Sequence, residues 1–136
     1  MIILFDTNVV LDVLMNRAPH VQTAAELMGL VERKKLSGSL GATTVTTIHY
    51  LAQKSVGPAA AARHTRKLLS IFDVAPVTWD TLSDALSLGF PDFEDAVLHE
   101  AARQSGASGI VTRDPKGFSK ATLRVYSPAE LIAILR

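Results

Sequence analysis

Four aspartates stand where acids can do chemistry. Asp6 follows directly on the apolar run Ile2-Ile3-Leu4-Phe5, and Asp114 closely follows a second such run, Gly109 to Thr112. Asp92 and Asp95 open a helix-forming segment at a spacing that lets both face one cavity. If the two apolar runs are strands of a parallel sheet, the acids gather outside its carboxyl edge, where ligands of open α/β sheets bind. Carboxylates gathered there repel one another unless a cation neutralises them. Hard oxygen donors suit Mg²⁺ or Mn²⁺. Such ions activate a water and stabilise charge on a transferring phosphoryl group, so the residues point to metal-dependent phosphodiester hydrolysis. Each acid also has a plain structural reading, because Asp6, Asp92 and Asp114 can cap or open helices. Asp95 has the spacing of the third-position acid after a cap at Asp92, but that reading leaves its further position unexplained. It falls beside Leu98 and Ala102 at the border of an apolar helix face, where a carboxylate needs a partner.

The elements that must position these acids alternate short apolar runs with amphipathic segments, the pattern of an α/β fold with a parallel sheet. Strands are expected at residues 2–5, 37–42, 73–77, 109–112 and 124–126. Helices are expected at 9–14, 21–34, 43–55, 59–72, 79–88, 92–105 and 128–135. Gly57-Pro58 separates the third helix from the fourth, and Gly106 ends the sixth. No repeat, linker or low-complexity tract interrupts the pattern, which predicts one domain over residues 1–136.

Composition narrows the function. A chain of 136 residues, 48% hydrophobic and 20% charged, can bury a proper core and is not disordered. Its 14 Lys plus Arg and 13 Asp plus Glu give a net charge of +1, which excludes a strongly basic nucleic-acid coat protein. With no Cys there is no disulfide scaffold, zinc-thiolate site or Cys nucleophile. No run reaches the roughly 18 apolar residues of a membrane span, and a charge at Asp6 excludes a signal peptide there, so a cytoplasmic setting is expected.

Three motifs in order resemble the PIN domain family, of the kind found in VapC-type toxins. Ile2-Ile3-Leu4-Phe5-Asp6-Thr7-Asn8 resembles the family's opening strand and Asp-Thr-Asn. Asp92-Phe93-Glu94-Asp95-Ala96-Val97-Leu98 is similar to its central acidic helix start, and Ile110-Val111-Thr112-Arg113-Asp114 with Phe118 to its strand-Thr-Arg-Asp signature. Ser127-Pro128-Ala129-Glu130-Leu131 resembles its usual ending. The resemblance implies a three-layer α/β/α fold around a parallel sheet and an Mg²⁺- or Mn²⁺-dependent endoribonuclease. Asp6, Asp95 and Asp114 match the family's metal-binding acids, with Asp92 as an extra acid. Asn8 matches a polar position near the metal and Thr112 one that supports the site. An RNA substrate, a small antitoxin that inserts near the acids, and homodimerisation are further implications. The amphipathic 21–31 and 43–51 helices are candidate surfaces for such a partner.

One position departs from the family. A Glu is usual in the helix after the second strand, and here Thr46-Thr47-Ile48-His49-Tyr50-Leu51 occupies that stretch. His49 stands at or next to the expected Glu. It could serve as a Mn²⁺ ligand, a general base or a phosphate contact, or be a structural His. Asp92 or Asp12 could replace the missing carboxylate. Arg113, beside the acids, is a candidate contact for the scissile phosphate, and Arg63, His64, Arg66 and Lys67 form a basic group that reads either as RNA contact or as a solvated helix face.

Competing enzyme classes lack their residues. A haloacid-dehalogenase-like phosphatase needs a second Asp where Asn8 stands, and dinucleotide binding needs a G-x-G-x-x-G. The departure at His49 keeps one other reading open, a catalytically weak or inactive PIN-fold module that binds RNA or protein.

Overall fold

The computed structural model describes residues 1–136. Five strands, β1 (Ile2–Phe5), β2 (Ser37–Gly41), β3 (Asp73–Ala75), β4 (Gly109–Val111) and β5 (Arg124–Tyr126), form one sheet in the order β3-β2-β1-β4-β5. Every neighbouring pair is parallel. The helices are α1 (Thr7–Leu14), α2 (Val21–Glu32), α3 (Ala42–Ile71), α4 (Trp79–Leu86), α5 (Phe93–Gln104) and α6 (Pro128–Leu135), with a short 3₁₀ turn at Pro115–Phe118.

Side-chain alternation along the central strands builds the three layers. Ile3 and Phe5 of β1 pack with Val9, Val10, Leu27, Ile48, Leu68 and Leu131, so α1, α2, α3 and α6 cover that face. Leu4 and Ile110 point the other way, into Leu98, Ala101, Ala102 and Phe118 of α5 and the 3₁₀ turn. Helix α4 packs on α5 through Ala85, Ala96 and Val97. Strands buried on both faces read as unbroken apolar runs, which explains Ile3-Leu4-Phe5, while Ile2 at the strand's start is exposed. The α/β/α architecture expected from the sequence is the one observed.

Local chemistry sets the helix starts. Asp6 caps α1 by accepting a hydrogen bond from the Thr7 N–H at 2.7 Å, and Asp92 caps α5 by accepting from the Asp95 N–H at 3.0 Å. Thr78 and Ser127 open α4 and α6 with reciprocal capping boxes. The amphipathic 21–31 and 43–51 segments spend much of their apolar stripe on the core, through Ala24, Leu27, Val31 and Ile48.

The helices expected at 43–55 and 59–72 are observed as the two arms of α3, separated by a non-helical residue where the sequence places the break. The break is Gly57, at φ 84° and ψ 168°, followed by Pro58. That backbone region suits glycine, and proline supplies no N–H for a continuing helical ladder. His49 bridges the arms, its Nδ1 lying 2.8 Å from Thr65 Oγ1. No helix is long and apolar enough to cross a membrane.

Candidate active site

The two central strands deliver two acids to the same edge. The Asp6 N–H donates to the Val111 carbonyl at 2.9 Å, which keeps the end of β1 in register with the end of β4. One residue beyond β4, the buried Thr112 donates through Oγ1 to Asp6 Oδ2 at 2.7 Å and accepts from the Asp114 N–H at 3.0 Å. A single hydroxyl thus fixes the Asp6 carboxylate and the backbone that carries Asp114. The start of α5 supplies Asp92 and Asp95 from the other side. Asp6, Asn8, Asp92, Asp95 and Asp114 all line one open cavity of about 330 Å³, together with Thr7, Leu11 and Glu94. No basic side chain lines it.

Electrostatics follow from this placement. Burial pushes the Asp6 carboxyl up, its hydrogen bonds from Thr112 and Thr7 pull it back, and the charges of Glu94 and Asp114 push it up again. Asp95 is pushed up to about 7, first by burial and then by the charges of Asp6, Asp92, Asp114 and Glu94. A like-charged cluster of this kind stores repulsion that a cation relieves.

Gly117 lies close behind two of these carboxylates. A Cβ there would lie 2.6 Å from Asp95 Oδ2 and 3.4 Å from Asp114 Oδ2. Only a residue without a side chain leaves the Asp95 carboxylate where it stands.

Glu94 is the acid that sequence reasoning passed over. It sits inside the quoted Asp92-to-Leu98 motif, one residue from Asp95. The available signal was its place in the first turn of α5, where successive side chains splay around the helix opening.

Three sequence expectations need correction. His49 does not line the acidic cavity: it is two residues past Thr47, which places it on another side of α3, and its Nδ1 is engaged by Thr65. On α3 it is Thr43, Thr46 and Thr47 that face the neighbouring cavity, so this helix brings hydroxyls rather than a carboxylate. Asp12 does not replace the missing acid either, because it is fully buried and paired. Arg113 Nε and Nη2 donate to its two oxygens, the latter at 3.1 Å, and Arg17 Nη1 lies 3.8 Å away. The Arg113 guanidinium is therefore committed to Asp12 instead of the acidic cavity. Its side chain lines a separate groove with His20 and Thr23, and only its backbone N–H turns back, to Asn8 Oδ1 at 3.3 Å.

The donor set fits a hard divalent cation. It consists of carboxylate and amide oxygens, with no imidazole or thiol among the lining residues. As the side chains stand, no three of them converge closely enough to clasp an ion. A cation that keeps several of its own waters, as Mg²⁺ commonly does, matches an open cavity of this shape.

The PIN domain family model matches residues 2–116. A search of curated proteins finds no match. Among solved structures, the chain is similar to VapBC2 from Rickettsia felis bound to a promoter DNA fragment, at TM-score 0.71 and 16% identity, covering 93% of this chain and 98% of that one. It is similar to a toxin–antitoxin complex from Klebsiella pneumoniae at TM-score 0.71 and 21% identity, covering 92% and 96%. VapC20 from Mycobacterium tuberculosis, a sarcin-ricin loop cleaving toxin, aligns at TM-score 0.65 and 18% identity over 85% and 92%. At these identities the structures establish a shared fold. The match of the family model over most of the sequence establishes more: this chain belongs to the PIN domain family.

Proposed function

We propose that the protein is a divalent-metal-dependent endoribonuclease that hydrolyses RNA phosphodiester bonds, and that it is the toxin of a toxin–antitoxin pair. The observation that carries the reading is the convergence of Asp6, Asp92, Glu94, Asp95 and Asp114 on one cavity without a neutralising cationic side chain. Asp6, Asp95 and Asp114 are the principal metal-holding and catalytic acids, with Asp92 assisting and Asn8 and Thr112 supporting. Mg²⁺ or Mn²⁺, when bound, supplies charge neutralisation at the phosphoryl group and a lowered pKa for the attacking water.

The protein's own contribution is placement. Thr112 holds Asp6 in one rotamer and keeps the Asp114 backbone against it. Asp92 fixes the first turn of α5 and so the direction of Asp95. Asp95 holds a proton near neutral pH while the cavity is unneutralised and gives it up when the cluster is neutralised. RNA contact then falls to groups outside the cavity.

The similarity to toxin–antitoxin complexes supports a small antitoxin partner, and a homodimer in the cytoplasm is part of the same proposal. One observation favours the second reading, a binding module with little or no activity: α3 contributes threonines where the family resemblance implies a Glu. The deciding experiment is cleavage of a mixed RNA pool by the pure protein with Mg²⁺, Mn²⁺ or EDTA, beside Asp95→Asn. Metal-dependent cleavage lost in the variant supports the nuclease. Folded, antitoxin-free protein that cleaves with neither metal supports the binding module.

A further inference from the structure

Next to the acidic cavity lies a second one, of about 360 Å³, whose two walls differ in chemistry. One wall is the first turns of α3, with Thr43, Thr46 and Thr47 at positions i, i+3 and i+4 of a single face. The facing wall is apolar: Leu82 of α4 with Phe93 and Val97 of α5. Glu94 lines both cavities, so the second opens directly beside the acids.

One detail sets this cavity apart from an ordinary surface dent. Phe93 occupies the first position of α5, between Asp92 and Glu94, and is 47% exposed.

The geometry points to a binding pocket for one unpaired nucleobase, that of a nucleotide flanking the phosphate held at the acidic cavity. This inference rests on the ribonuclease reading and deepens it by giving the enzyme a base-recognition subsite. A base is flat, with a π face and a polar edge. Phe93 and Leu82 offer the surface on which the face stacks, and the hydroxyls of Thr46 and Thr47 meet the edge. Single-stranded RNA is read in this way, by stacking on aromatic side chains and hydrogen bonds to base edges. Thr46 Oγ1 already donates to the Thr43 carbonyl at 2.9 Å and so offers an acceptor, while Thr47 can donate or accept. The sugar–phosphate chain leaves past Glu94 into the acidic cavity, a path the shared wall already provides. A single-stranded segment satisfies this arrangement and a paired one does not, since its base edges are occupied.

The test uses an octauridylate with one central 2-aminopurine, whose fluorescence is quenched when it stacks, mixed with the pure protein in Ca²⁺. Wild type is expected to quench the probe. Phe93→Ala is expected to weaken binding by about tenfold, and Thr47→Val by a few-fold, with melting curves like that of the wild type. Sequencing the cut ends of a mixed RNA pool gives a second readout: Phe93→Ala should flatten the base preference beside the cut while cleavage persists. Absent quenching by wild type overturns the pocket whatever the cleavage result, as does an unchanged base bias in Phe93→Ala. A shift from dimer to monomer in Phe93→Ala, seen by sedimentation with probe binding unaltered, also overturns it and assigns the face to a contact between copies. Quenching that depends on Phe93, in protein that cleaves nothing with Mg²⁺ or Mn²⁺, supports the pocket and defeats the nuclease.

Discussion

Gly117 stands against Asp95 so closely that a Cβ would meet Oδ2 at 2.6 Å. The obstructing atom is the end of a side chain that can turn away, so Gly117→Ala should fold with a stability change of about 1 kcal/mol or less. The carboxylate that turns away no longer faces the cavity. Divalent-metal affinity, measured by calorimetric titration, should fall by about tenfold, and cleavage with it.

Asp95 makes the stability of the metal-free protein depend on pH. Its folded pKa of about 7 lies above the ordinary value of 3.8, so the folded state holds a proton that the unfolded state has lost. Stability is therefore highest below about pH 4 as far as this group is concerned and falls as pH rises towards 7. The loss is on the order of 1–2 kcal/mol once solvent screening of a partly exposed group is discounted. Thermal melts in EDTA should show it, and Asp95→Asn should flatten that part of the profile. Metal binding near pH 7 should release protons, read as a dependence of titration heat on the buffer's ionisation enthalpy.

Arg113 is assigned here to holding the α1 end against the loop after β4, through Asp12. Arg113→Ala leaves the buried Asp12 carboxylate with only Arg17, 3.8 Å away. It should cost about 3 kcal/mol in urea unfolding. Replacing both partners, Asp12→Asn with Arg113→Leu, should recover much of that loss. A variant Arg113→Ala with wild-type stability and lost cleavage would return this residue to the substrate.

His99 is buried in α5 and accepts at Nε2 from the Thr122 N–H at 3.1 Å and the Leu123 N–H at 3.3 Å. Its Nδ1 therefore carries the proton and donates to Glu100 Oε2 at 2.9 Å. Burial raises the Glu100 carboxyl, but the hydrogen bonds from Arg103 and His99 outweigh it and hold the group low. His99→Phe should cost about 2–3 kcal/mol by orphaning two backbone donors and a carboxylate contact. Amide exchange should accelerate first at Thr122 and Leu123.

Much of this was legible in the sequence because the signals are local. Ile2 to Phe5 and Gly109 to Val111 announce buried strands by composition alone, and Asp6 and Asp92 sit at cap positions that spacing reveals. Parallel order then places Asp6 and Asp114 at one edge without further information. The misread features depend on contacts between distant residues. Asp12 and Arg113 are 101 positions apart, so nothing near either residue tells that each neutralises the other. His49 stands at or next to the position of the family's Glu, yet helical rotation turns it towards Thr65. The break signalled by Gly57-Pro58, by contrast, is local and lies where the sequence puts it.

The strand order has a consequence for a chain divided at the Gly57 kink. The first piece carries β1 and β2, which lie side by side within the sheet, and Asp6. The second carries β3, which borders them on one flank, and β4 with β5, which border them on the other, along with Asp92, Glu94, Asp95 and Asp114. Neither fragment holds a complete sheet or a complete set of acids. Two separately expressed halves would regain the cluster only by interleaving, which makes this fold a natural reporter of its own reassembly.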